Sequence, residues 1–309
     1  MSRVAAIDCG TNSVRLLIAD LPADPARPLT DLVRRMEIVR LGEGVDRTGR
    51  LHPAAIERTR AALAGYAAEI AELGAERVRM CATSASRDAS NADDFRAMVR
   101  ATLGIEPEVV SGDEEAVLSF TGAVRGLAAE PPYLVVDIGG GSTEFVLGDS
   151  TVHCAISVDV GCVRMTERHL HDDPPTAAQV TAAEADITAA VDRALAAVTG
   201  RDAATLVGLA GSVTTVAALA LGLDGYRPER IHHARISYPD VAKVTADLLA
   251  MSTARRLALP VMHPGRADVI GAGALVLRVV MERAGQPTVV ASEHDILDGI
   301  AWSLAPSAA

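Results

Sequence analysis

The chain has 309 residues, 49% of them apolar, and a formal charge of −11, so it can supply two ordinary domains with substantial cores. That balance excludes a broad nucleic-acid surface, which needs clustered cations, and any anionic substrate has to be met locally by arginines, helix N-termini or bound cations. The four cysteines, Cys9, Cys81, Cys154 and Cys162, have neither C-x-x-C spacing nor a partner histidine pattern; they support no zinc site and no disulfide framework, and read as small buried residues.

The N-terminus runs straight into a strand, without a basic leader and apolar signal core, which predicts a cytoplasmic protein. Val4 to Ile7, the turn Asp8-Cys9-Gly10-Thr11-Asn12-Ser13 and a second apolar run to Ile18 predict a strand pair. The proline-rich stretch from Pro22 to Pro28 cannot continue a ladder. A third strand is expected over 36–41, and Gly42, Gly44 and Gly49 then mark a loop. Pro53 suits the first turn of a helix over 54–73. A strand over 76–81, a helix over 91–103, a short strand at 109–110 and a helix over 113–127 complete a βββαβαβα order.

After Glu130-Pro131-Pro132 the pattern restarts. Apolar residues from Leu134, Asp137-Ile138-Gly139-Gly140-Gly141-Ser142-Thr143-Glu144 and Phe145-Val146-Leu147 predict strand, turn and strand, with a third strand over 153–158. Pro174-Pro175-Thr176 opens a helix over 177–198. A strand over 206–209 turns through Ala210-Gly211-Ser212 into an apolar helix. Helices over 238–251 and 267–284, a strand over 289–291 and a final helix to 304 follow. Residues 203–223 carry no charge and are long enough to span a membrane, but Gly208 and Gly211 interrupt them; a buried strand feeding a core helix, and no membrane partner, is the expectation.

The two Asp-led turns share one chemistry. Glycine permits positive φ and close backbone approach, so successive N–H groups can converge on phosphate oxygens, with hydroxyls as added donors. Asp8, Asp137 and Glu144 are hard oxygen ligands suited to Mg²⁺, with Mn²⁺ able to substitute. Two tight hairpins with polar tips are the alternative. A dinucleotide fingerprint needs its glycines to open a helix, whereas a strand follows Glu144. A P-loop needs Gly-Lys-Ser/Thr, and the chain's only lysine is Lys243.

Two halves of this kind resemble the superfamily of actin, chaperone ATPases and sugar kinases. Within it the chain most resembles the exopolyphosphatase and guanosine pentaphosphate phosphohydrolase family. The residues that carry the resemblance are Asp8 to Ser13, Ala82 to Asn91, Ser111-Gly112-Asp113-Glu114-Glu115-Ala116, Asp137 to Glu144, Gly161 to Glu167, Gly211-Ser212-Val213-Thr214-Thr215 and Arg266 to Ile270. The resemblance implies an α/β fold of two duplicated ribonuclease H-like (actin-like ATPase) domains with an interdomain cleft. The domains would be 1–127 and 128–309, with the final helix a candidate to pack back on the first. Longer relatives add helical C-terminal domains, so a short member with a preference for short chains or distributive action is expected. Ser292 to Gly299 departs from the family's usual Leu-Arg-Glu-Gly ending, with Leu297 in place of arginine.

The resemblance also implies a reaction: hydrolysis of a terminal phosphoanhydride of inorganic polyphosphate, or of guanosine pentaphosphate, by in-line water attack. It places the catalytic glutamate at Glu115. Glu114 would point about 100° away on the same helix. The expected phosphate contacts are Gly10, Thr11, Asn12, Ser13, Gly139, Gly140, Gly141, Ser142, Thr143, Gly211 and Ser212, with Arg87 as the bidentate side chain; the expected metal ligands are Asp8, Asp137 and Glu144. Arg15, Arg164 and Arg266 have structural alternatives as a strand-face residue, an ion-pair partner of Glu167 and a helix cap. His52, His263 and the pair His232-His233 read as loop residues. A sugar kinase and a non-catalytic sensor of guanosine tetraphosphate or polyphosphate are the competing classes, and a homodimer is an expected assembly.

Overall fold

The computed structural model describes residues 2–24, 27–198 and 203–305, so part of the proline-rich stretch, residues 25 and 26, lies outside the described residues. The chain divides into two compact units, one running to Gly126 and resuming at Ile296, the other Leu127–Asp295.

In the first unit β1 (Ser2–Cys9) and β2 (Ser13–Leu21) form an antiparallel hairpin in which Asp8 lies opposite Arg15. Next come β3 (Thr30–Ile38), α1 (Val45–Thr48), α2 (Pro53–Leu73), β4 (Arg77–Ala82), α3 (Ser84–Asp88), α4 (Ala92–Leu103), β5 (Glu108–Val109) and α5 (Gly112–Val124). The sheet order is β3-β2-β1-β4-β5, with β4 and β5 parallel to β1. The third strand is earlier and longer than the expected 36–41. It is a largely exposed edge in which Asp31, Arg34, Arg35 and Glu37 interrupt the apolar residues Leu32, Val33, Met36 and Ile38, so no continuous apolar run marks it. Val39 and Leu41 are buried in the following turn instead.

The period-two alternation of β1 and β2 sorts the core into two faces. Ala5, Ile7, Val14, Leu16 and Ile18 pack with Leu63 and Tyr66 of α2 and Phe95 and Val99 of α4. Helix α2 presents Ala55, Thr59, Ala62, Leu63 and Tyr66 to this core, one stripe of a 3.6-residue period. It starts with Pro53 behind the His52 cap and stops at Gly74, whose φ of 65° closes the last turn. Val4, Ala6, Leu17 and Ala19 face the other way, and Asp8 falls on that second face.

The second unit contains β6 (Tyr133–Ile138), β7 (Thr143–Gly148), β8 (Val152–Val158), α6 (Cys162–His169), α7 (Ala177–Val198), β9 (Thr205–Leu209) and α8 (Ala210–Ala220). They are followed by α9 (Pro228–Ile231), β10 (Arg235–Ser237), α10 (Tyr238–Ala250), α11 (Thr253–Leu257), α12 (Ile270–Arg283) and β11 (Thr288–Ala291). The order β8-β7-β6-β9-β11 repeats that of the first sheet, with β10 added antiparallel at the edge. Both units are therefore ribonuclease H-like. Residues 203–223 form β9 and α8, and no helix among the described residues is long and apolar enough to cross a membrane. Residues 267–269 precede α12 rather than belonging to it, because a 3-10 turn at Pro264–Arg266 leads into them.

The last helix, α13 (Ile296–Ser303), belongs to the first unit, so the second unit ends at Asp295 and not at the C-terminus. Ile296, Leu297, Ile300 and Ala301 cover the sheet face of Val4 and Ala6 together with Leu118 of α5. Leu297, 1% exposed, is thus a core residue of that face.

Candidate functional site

The two Asp-led turns have the same backbone closure. Gly10 N–H donates to Ser13 O at 3.0 Å, and Gly139 N–H donates to Ser142 O at 3.0 Å. Asp8 and Asp137 are each the penultimate residue of the first strand of their hairpin, and the residues across the ladder are Arg15 and Glu144.

In the first unit Arg15 donates to Asp8 Oδ2 from Nε (3.0 Å) and Nη2 (2.7 Å), and the Asp8 side chain is 6% exposed. The turn itself is gripped by the loop after β3. Val39 and Arg40 N–H donate to Asn12 O at 3.1 and 2.9 Å, and Gly42 N–H to Thr11 O at 2.9 Å. The C=O and N–H of a trans peptide point in opposite directions, so these bonds turn the N–H groups of Asn12 and Ser13 away from the loop. A Cβ on Gly42 would lie 2.3 Å from the Thr11 methyl, which requires glycine there. Thr11 Oγ1 also pairs with Ser84 Oγ at 2.8 Å, tying the turn to α3.

Glu115 stands in the first turn of α5, where Ser111 caps the helix by accepting from Glu114 N at 3.1 Å. It is 8% exposed. Arg87 of α3 donates from Nη1 to Glu115 Oε2 at 3.1 Å and to Val110 O at 2.9 Å, so the arginine expected on phosphate is here the partner of the expected base. Glu114 takes a different partner, Arg79 of β4, at 2.8 Å.

In the second unit Asp137 and Glu144, 7% and 1% exposed, lie side by side on adjacent strands, and Ser157 Oγ donates to Glu144 Oε1 at 2.7 Å. The glycine turn is held by the start of α6. Cys162 N–H donates to Gly139 O (2.9 Å), Val163 and Arg164 N–H to Gly140 O (2.9 and 3.1 Å), and Arg164 Nε to Gly141 O (2.6 Å). With these three carbonyls engaged, the N–H groups of Gly140, Gly141 and Ser142 turn away from α6 in succession, a backbone nest for an anion. Gly161 makes this contact possible, since a Cβ there would lie 2.4 Å from Gly140 O. Thr143 Oγ1 donates to Val160 O at 2.6 Å.

At Gly211 the start of α8 meets Arg266. A Cβ on Gly211 would fall 2.1 Å from the guanidinium, which also donates to Thr215 Oγ1 at 2.9 Å. Ala210 takes a left-handed φ of 64° to begin the helix. Ser212 points elsewhere: it is 3% exposed, and a Cβ on Gly273 of α12 would lie 2.2 Å from its Oγ. Packing therefore uses its hydroxyl, and its backbone is what remains for an anion.

The donor set for a divalent cation is uneven. Asp8 already carries the Arg15 cation, while Asp137 and Glu144 are two hard carboxylates together, the arrangement that suits Mg²⁺ completing its shell with phosphate oxygens and waters. Among the described residues no group of three His, Cys, Asp or Glu side chains could hold a metal ion. The cysteines are free among the described residues; burial pushes the Cys81 thiol up to about 12 and raises Cys9 and Cys162 as well. His232 and His233, expected as loop residues, stack with ring centroids 3.7 Å apart, and His294 lies 4.4 Å from His232. Sequence reasoning missed the support of the turns by α6 and by Val39 to Gly42. The available signals were Gly161, within a motif already singled out, and the Gly42-Glu43-Gly44 cluster.

The model of the Ppx/GppA phosphatase family matches residues 20–308. The chain is 52% identical to exopolyphosphatase 2 of Mycobacterium tuberculosis over 99% of both chains. It is 28% identical to guanosine-5'-triphosphate,3'-diphosphate pyrophosphatase of Aeromonas hydrophila over 97% of this chain and 59% of that protein. Among solved structures, an exopolyphosphatase-like protein superposes with a TM-score of 0.93 at 41% identity, covering 98% of this chain and 97% of the other. The match to exopolyphosphatase 2 takes in both hairpins and the helix that carries Glu115, the family model takes in the second hairpin and that helix, and the protein belongs to the Ppx/GppA phosphatase family.

Proposed function

We infer that the protein is an exopolyphosphatase, hydrolysing the terminal phosphoanhydride of inorganic polyphosphate and releasing orthophosphate. The observation that carries this reading is 52% identity along the whole chain to a relative named exopolyphosphatase. The buried Glu115 in a helix first turn supports it, because the reaction needs a carboxylate held in one place to orient and deprotonate a water.

Each residue has a distinct task in this reaction. Glu115 accepts the proton of the attacking water, and the hydrogen bond from Arg87 holds that carboxylate in one rotamer. The N–H groups of Gly140, Gly141 and Ser142, and those of Asn12 and Ser13, donate to phosphate oxygens. Arg266, packed against Gly211 in the first turn of α8, adds a cation beside the N–H groups of that helix start. Asp137 and Glu144 would hold Mg²⁺ or Mn²⁺, which supplies neutralisation of phosphoryl charge when bound.

Removal of the terminal phosphate of guanosine pentaphosphate is the second reading, favoured by similarity over 97% of this chain to the Aeromonas pyrophosphatase, 59% of whose length is matched. Phosphate release from polyphosphate and from guanosine pentaphosphate, measured side by side with Glu115→Gln as control, tests both. Release from polyphosphate, lost in Glu115→Gln, supports the first reading; release from the nucleotide alone supports the second, and none from either overturns both.

A further inference from the structure

Helix α13 touches α5 backbone to backbone. A Cβ on Gly299 would lie 2.0 Å from the carbonyl oxygen of Leu118, 2.7 Å from its carbonyl carbon and 3.1 Å from its Cα. Backbone atoms have no rotamer with which to yield, so any larger residue at 299 has to push the two helices apart. Leu118 stands three residues after Glu115, close to one turn along the same helix.

Side chains fix α13 in this place. Asp298, its side chain 4% exposed, accepts from both Nη atoms of Arg34 on β3, at 2.7 and 3.2 Å. Arg79 of β4 donates to Ser303 Oγ at 2.8 Å and to Glu114 Oε1 at 2.8 Å, linking the end of α13 to the turn that carries Glu115. The Arg125 guanidinium, just beyond α5, lies 3.5 Å from the Trp302 ring centroid.

We propose that α13 is a positioning element for the water-activating carboxylate, with Gly299 the positioning residue that acts on Glu115 through Leu118. The proposal rests on the reading of Glu115 as the base. Close-packed interiors transmit displacement rather than absorb it, and an ordered helix carries a push at Leu118 one turn back to Glu115. The C-terminal motif then has a physical meaning: Leu297 fills the core, Asp298 locks the helix, and Gly299 permits contact with α5.

The test is a double-mutant cycle in steady-state kinetics on polyphosphate, with wild type, Gly299→Ala, Glu115→Gln and the double variant, each checked for folding by thermal melting. Misplacement of a catalytic group by around 1 Å costs up to about 100-fold, so Gly299→Ala is expected to lower kcat by roughly 10- to 100-fold with KM within about twofold. The same substitution should add nothing to the residual activity of Glu115→Gln. A folded Gly299→Ala with wild-type kcat, or an equal loss in both backgrounds, overturns the proposal. If Gly299→Ala does not fold, Asp298→Asn carries the test: it loosens α13 without changing volume, and a kcat loss of about threefold or more confined to the Glu115 background is expected. Unchanged kcat there overturns the proposal too. A wild type that releases no phosphate overturns the functional reading beneath it, whereas an active wild type with an indifferent Gly299 overturns this inference alone.

Discussion

Arg15 and Glu144 are counterparts: each is the ladder partner of the penultimate aspartate in the first strand of its hairpin, Asp8 for one and Asp137 for the other. The duplicated turn has thus diverged at one position from a cation to an anion. Where arginine stands, the buried aspartate is neutralised within the chain. Where glutamate stands, two carboxylates lie side by side, and this is where the divalent cation is proposed to bind.

Removing the first of these cations strands a buried carboxylate. Arg15→Met is expected to lose roughly 3 kcal/mol of stability, the low end for breaking a buried pair because the Arg15 side chain is 19% exposed. Urea unfolding measures it, and a loss under about 0.5 kcal/mol would refute the assignment of Arg15 as the counter-ion of Asp8.

The carboxylate pair makes the opposite prediction. Chelation should abolish phosphate release, with recovery on adding Mg²⁺ or Mn²⁺. Glu144→Gln should raise the metal concentration for half-maximal activity by roughly 10- to 100-fold, the scale of altered metal support, while leaving the melting temperature unchanged or higher. An unchanged metal requirement in Glu144→Gln would remove this residue from the metal site.

Glu115 and Arg87 should separate chemistry from structure. Glu115→Gln keeps the shape and an acceptor for Arg87, so kcat is expected to fall by about 10²- to 10⁴-fold with little change in KM or melting temperature. Both bonds leave the single Nη1 of Arg87, a position that the shorter, non-planar lysine side chain does not reproduce, so an intermediate loss of kcat is expected for Arg87→Lys. Full activity in Glu115→Gln would be fatal to its role as base.

Gly161 supports the second turn without touching substrate. Because its Cβ would lie 2.4 Å from Gly140 O, Gly161→Ala must displace either α6 or the glycine turn. A cost of about 1–3 kcal/mol is expected, with a fall in kcat/KM larger than that in a stability-matched variant elsewhere. Calorimetry beside kinetics decides; a purely thermal effect would argue against the backbone nest as the phosphate site.

The histidine stack sets a pH dependence. Burial and the nearby His294 hold His233 below the ordinary imidazole pKa, while the unfolded chain titrates near 6.5. Below about 6.5 the unfolded chain therefore binds more protons than the folded one, and stability falls as pH drops towards the folded pKa. Above it the contribution is constant. His233 has a φ of 63°, a conformation asparagine tolerates, so His233→Asn should fold and flatten the melting temperature between pH 7 and 5. An unchanged slope would shift the cause to other groups.

Much of the fold was legible because its signals are local. Apolar runs placed β1 and β2, and Pro53 marked the start of α2. The uninterrupted apolar run at Leu134 to Val136 marked a fully buried strand. Failures have equally local reasons. The edge strand β3 carries charges where a strand signal was sought, β10 is three residues long, and α6 is dominated by Arg164, Glu167, Arg168 and His169. The membrane-length run at 203–223 was rightly divided at its glycines, because β9 and α8 meet there.

By itself the sequence determined the duplicated Asp-led turns, the exclusion of P-loop and dinucleotide chemistry, and the ordered motifs that mark the family. These are properties of neighbouring residues, where backbone preference and periodicity act. Only the tertiary structure decided which partners those residues take. Thr11 meets Ser84 across 73 residues and Arg34 meets Asp298 across 264, and α13 joins a sheet whose strands begin at the opposite end of the chain. The same holds for Arg87 on Glu115 and α6 beneath the glycine turn. Such pairings carry no signature in local spacing, because they are selected by the burial of whole faces as the sheets are covered.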